Sequence, residues 1–352
     1  MRKLFLKYKN GVTRRYEEYC WKNRVKKSAA KEKEYPSSDK LIVFDTAIHS
    51  QNMGDVIIQH YCRKVLDEVF AGQQPIRVPT HILPARHDID SILGAKIKIV
   101  CGTNLITPHY EEYSNWEMSD DLFGYQNIIT LGVGWGYYCE EISPISRFVY
   151  NTILAPQGLH SVRDSYTEQK FREMGILNVV NTGCPTLWGL SRQHCESIPL
   201  EKATTVITTI TDYDRNVASD RLMLEILLQE YKKVSVWIQG SKDMEYLREL
   251  IDVKRVEIIP NDFESYTKAL TCTDVDYVGT RLHAGIHALN LGVRSLIVAI
   301  DNRAIEMGKD VNLPLIMREN LEQELVVQIR ENRKTDIVIP EQEINLWKKQ
   351  FV

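Results

Sequence analysis

The sequence predicts an α/β protein of two doubly wound, Rossmann-like domains facing each other across a cleft. Three observations carry that expectation. Short apolar runs alternate with helical apolar spacing through residues 41–181. The same alternation begins afresh at residue 205. Residues 276–300 then spell out the unit of a parallel sheet. Tyr277 and Val278 close a buried strand, and Leu282, Ile286 and Leu289 take helical spacing. Gly292 suits the position past a helix end, and 295–300 is a second apolar run.

Taken in order, residues 1–40 stand apart. They hold thirteen Lys or Arg against five Asp or Glu, a net charge of +8 in a chain whose total is −3. Basic residues with interleaved aromatics over 1–35 suit peripheral contact with an anionic membrane, a solvated arm, or a helix packed on its own domain. The alternatives stay open. Tyr35-Pro36-Ser37-Ser38 reads as a linker.

The first domain is expected over 41–188. A strand at 41–44 leads through the loop 45–52 into a long helical pattern at 54–70, and further strands fall at 76–78, 97–102, 128–131 and 179–181. Gly132-Val133-Gly134-Trp135-Gly136 has its third glycine misplaced for a dinucleotide loop. It reads as a close-packed turn beside the cleft, with Trp135 and Tyr137 offering aromatic faces. Asp164 or Ser165 caps a helix over 166–174, with Gly175 behind it. The second domain is expected over 189–318, with strands at 205–211, 234–239 and 256–259 and helices at 218–231, 243–251 and 263–270. Residues 319–352 form a helical segment, in which 340–352, with Trp347, crosses back onto the first domain.

Composition narrows the function. A net charge of −3 argues against a nucleic-acid binder. No apolar run approaches the ~20 residues of a membrane span, and no secretion signal opens the chain. The seven cysteines are scattered without a Cys-x-x-Cys pair, which suits a reducing cytoplasm. No P-loop motif occurs, so an ATPase of that type is not expected.

Arg281 and His283 fall at the join of a strand and its helix, where open α/β sheets bind ligands. A helix N-terminus favours anions, a guanidinium forks onto phosphate or carboxylate, and an imidazole exchanges protons near neutral pH. Asn52 and Asp55 fall at the equivalent join of the first domain, with His49 on the same loop. Asp55 is equally readable as a helix-start acid. His283 and His287 lie four apart on one helix, but no Glu takes the zinc-protease position and no third ligand is evident, so no metal is expected.

Four stretches together resemble the polysaccharide pyruvyl transferase family: Asn52-Met53-Gly54-Asp55, Ser161-Val162-Arg163-Asp164, Gly183-Cys184-Pro185-Thr186-Leu187, and Gly-Thr-Arg-Leu-His-Ala at 279–284 followed by Ile300-Asp301-Asn302-Arg303. Cys184 and Arg303 depart from some relatives, which carry an acid and a Lys there. The resemblance implies a two-domain arrangement similar to GT-B glycosyltransferases, with the acceptor on the first domain and the donor on the second. It implies transfer of pyruvate from phosphoenolpyruvate onto two hydroxyls of a galactose- or mannose-type sugar, in a surface polysaccharide or its lipid-linked precursor. The product is a cyclic ketal, phosphate leaves, and phosphoenolpyruvate is a donor substrate rather than a cofactor.

On that basis Arg163, Arg281, Leu282, His283 and Arg303 are the candidate donor site. His283 is the acid/base group, with Arg163 and Arg281 catalytic beside it. His49, Asn52, Asp55 and Trp135 are the candidate acceptor site. The protein is expected in the cytoplasm, at the inner face of the membrane if the basic arm binds there. Two other readings compete: a glycosyltransferase using a nucleotide sugar, and a catalytically silent member of a polysaccharide assembly complex.

Overall fold

A computed structural model describes residues 38–118 and 125–352, together with Tyr19, Cys20 and Asn23. The basic arm and most of the linker therefore lie outside the described residues.

The first sheet is all parallel. Its strands are β1 (Ser38–Asp45), β2 (Ile76–Pro79), β3 (Ala95–Ile106), β4 (Ile128–Trp135), β5 (His160–Val162) and β6 (Val179–Asn181), in the order β2-β1-β3-β4-β5-β6. The second sheet is also all parallel. It holds β7 (Thr205–Thr208), β8 (Lys233–Trp237), β9 (Glu257–Ile259), β10 (Val275–Gly279), β11 (Ser295–Ala299) and β12 (Leu315–Met317), in the order β12-β11-β10-β7-β8-β9. The order reverses between β1 and β3 in one sheet and between β7 and β10 in the other. Crevices outside the carboxyl ends of such strand pairs are where doubly wound sheets bind ligands.

Local sequence explains the helices that matter to the site. In α1 (Met53–Val69), Asn52 caps the N-terminus by accepting from Gly54 N at 3.0 Å, and Ile57, Ile58, Tyr61, Cys62, Val65 and Leu66 form its buried stripe. α2 (Arg86–Gly94) and α3 (Pro144–Ile153) follow, the latter capped by Ser143 with Pro144 at its first position. α4 (Ser165–Met174) is capped by Asp164 and stopped by Gly175 at φ 94°. The second half adds α5 (Arg192–Ser197), α6 (Val217–Glu230), α7 (Asp243–Leu250) and α8 (Phe263–Leu270). In α9 (Leu282–Asn290) every residue from Leu282 to Leu289 is buried. A helix apolar all round must sit inside the molecule. Gly285 lets it do so, because a Cβ there would lie 2.4 Å from Ile297 Cγ1 of β11.

Three elements close the chain: α10 (Asn302–Val311), α11 (Leu321–Arg330) and α12 (Glu341–Lys349). α12 crosses back to the first sheet. Trp347 is fully buried and donates Nε1–H to Thr130 O at 3.1 Å, and Gln350 pairs twice with the Leu159 backbone. No helix of the described residues is long and apolar enough to cross a membrane.

One element departs from the sequence reading. Gly132 to Trp135 is not a turn but the last half of β4. Its glycines make room for side chains. A Cβ at Gly132 would meet Pro185 Cδ at 2.2 Å, and one at Gly134 would meet Arg163 Cζ at 2.1 Å. β7 is also shorter than expected. It ends at Thr208 because Thr209 turns to bond residues 280 and 281.

The two halves are clamped together. Tyr61 of α1 and Thr267 of α8 hold opposite nitrogens of His287, at 2.8 and 3.0 Å. The Asp310 carboxylate accepts from Ser165 N at 2.5 Å at the head of α4, and Tyr138 donates to Glu306 at 2.5 Å. Burial lowers His287 and His283 to about 3 and His160 to about 4, below their ordinary value near 6.5. The unfolded chain therefore binds protons first as pH falls. Stability is intact above pH ~6.5 and is lost between there and about pH 3, by up to ~1.4 kcal/mol per pH unit per histidine. Urea unfolding at pH 7 and pH 5 should give a midpoint much lower in acid; equal midpoints would contradict neutral burial of these imidazoles.

Candidate active site

The pocket forms where the two switch points meet. β10 delivers Thr280, Arg281, Leu282 and His283. The β11–α10 join delivers Asp301 and Arg303, and the loop after β7 delivers Tyr213. From the first sheet come Asn52 and Asp55, with Thr103 of β3.

His283 is the second residue of α9 and is 6% exposed. Its Nε2 lies 3.7 Å from Cys184 Sγ. Burial lowers it to about 3, and the nearby charges of Arg303 and Arg163 add to the effect. In the free site it is a neutral imidazole that feels the charge of two guanidinium groups.

Arg163 leaves β5 and lies across the Gly134 backbone. Its Nε donates to Asp164 Oδ2 at 3.0 Å and its Nη2 to Trp135 O at 3.5 Å. Its Nη1 is buried without a hydrogen-bond partner. An orphan charged donor of this kind costs free energy unless a ligand satisfies it. Arg303 lies at the head of α10, where Asp301 caps the helix through Oδ1 and holds Arg303 Nε through Oδ2 at 2.9 Å. Its Nη2 also donates to the Tyr213 hydroxyl, and its guanidinium lies 5.6 Å from the centre of that ring. Burial raises Asp301, but the Arg303 charge outweighs it and keeps the carboxyl below its usual range. His283 and Arg303 line the pocket, Arg163 is not among its lining residues but its charge reaches His283, and each Arg is oriented by its own carboxylate.

Arg281 departs from the expected picture. Its Nε donates to Ile210 O at 2.9 Å, and its Nη2 spans Asp212 at 2.8 Å and Asp243 at 2.5 Å. Two carboxylates neutralise it, so it brings no net positive charge to a donor and acts mainly to fix the β7 and β10 loops. Asp243 also accepts from the backbone N–H groups of Asp212, Gln239 and Gly240. Burial pushes Asp243 up to about 6. Asp212, raised by burial but lowered more by its contacts with Asp243 and Arg281, falls below the usual carboxylate range. Removing the Asp243 carboxylate should cost ~3–5 kcal/mol, as for other buried pairs broken on one side. Urea denaturation of Asp243→Ala checks this, and a loss under ~1 kcal/mol would refute the anchoring role.

The acceptor candidates separate. Asp55 faces the pocket. Asn52 lines it too, but its Oδ1 is occupied by Gly54 N and by Gln239 Nε2 at 2.8 Å across the domain junction. Its side chain is a cap and a tie. His49 is exposed on a turn at φ 62° and is not among the pocket-lining residues. Trp135 is fully buried in the core with Phe44 and Trp116, so it offers a sugar no face. Only its carbonyl reaches the site, accepting from Arg163 and Asn302. Leu282 is a buried wall. Sequence reading missed Thr103 within β3, Tyr213 in the loop after β7 and Gln239 after β8, none of which belongs to a motif. His287, paired with Tyr61 and Thr267, is structural. Among the described residues no group of three or more His, Cys, Asp or Glu is placed to hold a metal ion.

The polysaccharide pyruvyl transferase family model matches residues 52–302, most of the chain. This chain belongs to the polysaccharide pyruvyl transferase family. It is therefore a transferase of polysaccharide pyruvylation, and a sugar acceptor follows. No curated protein matches the chain. Among solved structures, the UDP-GlcNAc 2-epimerase of Methanocaldococcus jannaschii, in complex with UDP-GlcNAc and UDP, is similar at 10% identity and a TM-score of 0.51, over 88% of this chain and 98% of that one. Staphylococcus aureus MnaA with UDP matches at 12% identity and a TM-score of 0.44, over 84% and 92%. The Escherichia coli heptosyltransferase WaaC with ADP matches at 11% and 0.41, over 82% and 99%. At such identities the epimerase likeness speaks for the two-domain fold alone, which the pyruvyl transferase shares.

Proposed function

We propose that this pyruvyl transferase takes pyruvate from phosphoenolpyruvate and bridges two hydroxyls of a galactose- or mannose-type sugar, in a surface polysaccharide or its lipid-linked precursor. The observation that carries the donor assignment is the unpartnered, buried Nη1 of Arg163, whose charge reaches His283. Arg163 and Arg303 suit a ligand that brings a carboxylate and a phosphate into one small site. The heads of α9 and α10 favour the same anion.

The donor's negative charge favours a protonated His283. Donor binding is then accompanied by proton uptake, and the imidazolium delivers that proton to the methylene carbon. The central carbon becomes electrophilic, one sugar hydroxyl adds to it and loses its proton, and a carbon–oxygen bond forms. The second hydroxyl then displaces phosphate. One hydroxyl proton is balanced by the new methyl C–H, and the other leaves with phosphate. A positioned acid/base contributes ~10²–10⁴-fold to such a step. The basic arm, with its net charge of +8, suits holding the enzyme near an acceptor at an anionic membrane surface.

Thermal shift tests the donor class. Phosphoenolpyruvate at 100 times its dissociation constant should stabilise the protein by ~2.7 kcal/mol. A panel of nucleotide sugars should give no shift. The reverse pattern would replace this reading with a glycosyltransferase.

A further inference from the structure

Asp55 is a buried carboxylate on the wall of the pocket, and its partners are unusual. Ser50 Oγ donates to Oδ2 at 2.6 Å, and Nε2 of His81 faces the same oxygen at 3.9 Å. His81 comes from the loop after β2 and belongs to none of the motifs that mark the site. Its other nitrogen, Nδ1, is 2.8 Å from the carbonyl oxygen of Asn115. A carbonyl only accepts, so Nδ1 carries a hydrogen. Nε2 therefore faces Asp55 either as an N–H beside a carboxylate or as a lone pair beside a carboxylic acid. At 3.9 Å the two groups face each other as an electrostatic pair rather than through a direct hydrogen bond.

The surroundings hold the pair in place. Asn115 is fixed by Asn104 O at 3.1 Å and by Tyr113 at 2.5 Å. Thr103, which hydrogen-bonds Asp55, has φ 94°, a strained conformation for a β-branched residue. Strain of this kind persists only where the surroundings enforce it. The charge facing Asp55 from the second domain is Arg303. Burial raises the Asp55 carboxyl, and His81 and Arg303 oppose that rise, which suits a group that alternates between its two forms.

We propose that Asp55, positioned by His81, is the base that accepts the proton of the attacking sugar hydroxyl, on the wall across the pocket from His283. The inference rests on the pyruvyl-transfer reading and divides its proton traffic. His283 gives a proton to the donor's methylene carbon. Asp55 takes one from the acceptor oxygen as that oxygen bonds to the central carbon, and the Asp55–His81 pair returns it to solvent. His81 is a positioning residue and touches no substrate.

The test compares wild type with Asp55→Asn and His81→Gln. The first readout is the NMR spectrum of the His81 ring without substrate, in which Nδ1 should carry the hydrogen and the Nε2 signal should move in Asp55→Asn. A ring spectrum unmoved by Asp55→Asn overturns the pair. The second readout is turnover with phosphoenolpyruvate and p-nitrophenyl galactoside or mannoside as probe acceptors. Asp55→Asn should lose ~10²-fold or more in kcat and keep donor affinity within about twofold. His81→Gln should move the acidic limb of the kcat/KM profile. Near-normal turnover by Asp55→Asn overturns the base assignment. A wild type that does not bind phosphoenolpyruvate would sink the donor reading instead, while the His81 ring spectrum still decides the pair.

Discussion

His283→Asn is expected to lose ~10²–10⁴-fold in turnover while binding phosphoenolpyruvate within a few-fold of wild type. The imidazole is buried, and its Nε2 lies 3.7 Å from the Cys184 sulfur. Asparagine keeps a polar head at the start of α9, so the helix and its backbone N–H groups should persist. What is lost is a group that can take up a proton when a charged donor arrives. Its resting position at about 3 shows how strongly burial, Arg303 and Arg163 resist that proton in the empty site. A variant that turned over normally would remove His283 from the chemistry. One that failed to bind the donor would make it a ligand instead.

The second large effect is expected at a residue that meets no substrate. In Gly134→Ala the new methyl carbon would lie 2.1 Å from Arg163 Cζ and 2.2 Å from its Nε. Gly134 lies in β4 with an ordinary backbone conformation, so the methyl group itself does the damage and pushes the guanidinium out of its slot. Donor affinity should fall as in Arg163→Ala, by ~1.5–3 kcal/mol, the range of a charged hydrogen bond. Equilibrium binding of phosphoenolpyruvate to both variants checks this. If Gly134→Ala bound the donor normally while Arg163→Ala did not, the guanidinium would be free to act from elsewhere.

The same pair marks the limit of sequence reading. Residues 276–303 were legible because a strand, a capped helix and a second strand are written in neighbouring positions. The meeting of His283 and Arg303 on one pocket wall was accessible through motif order. The Gly-x-Gly-x-Gly stretch was misread as a turn, because what it makes room for, Arg163 and Pro185, lies 29 or more residues away and only folding brings it near. The pairing of Arg281 was out of reach for the same reason: its partners Asp212 and Asp243 are 69 and 38 residues distant. Trp135 looked like a sugar platform because its burial depends on packing beside Phe44 and Trp116. His81 carried no signal, since one histidine in a loop says nothing about a carboxylate on α1.

The most direct test of the donor site is calorimetric titration of phosphoenolpyruvate at pH 7 in two buffers of different ionisation heat. The expected result is binding accompanied by net proton uptake in wild type, with uptake lost in His283→Asn and affinity lost in Arg163→Ala. Binding without proton uptake, or the same uptake in His283→Asn, would contradict the proton-donor role of His283. No binding at all would contradict the pocket itself.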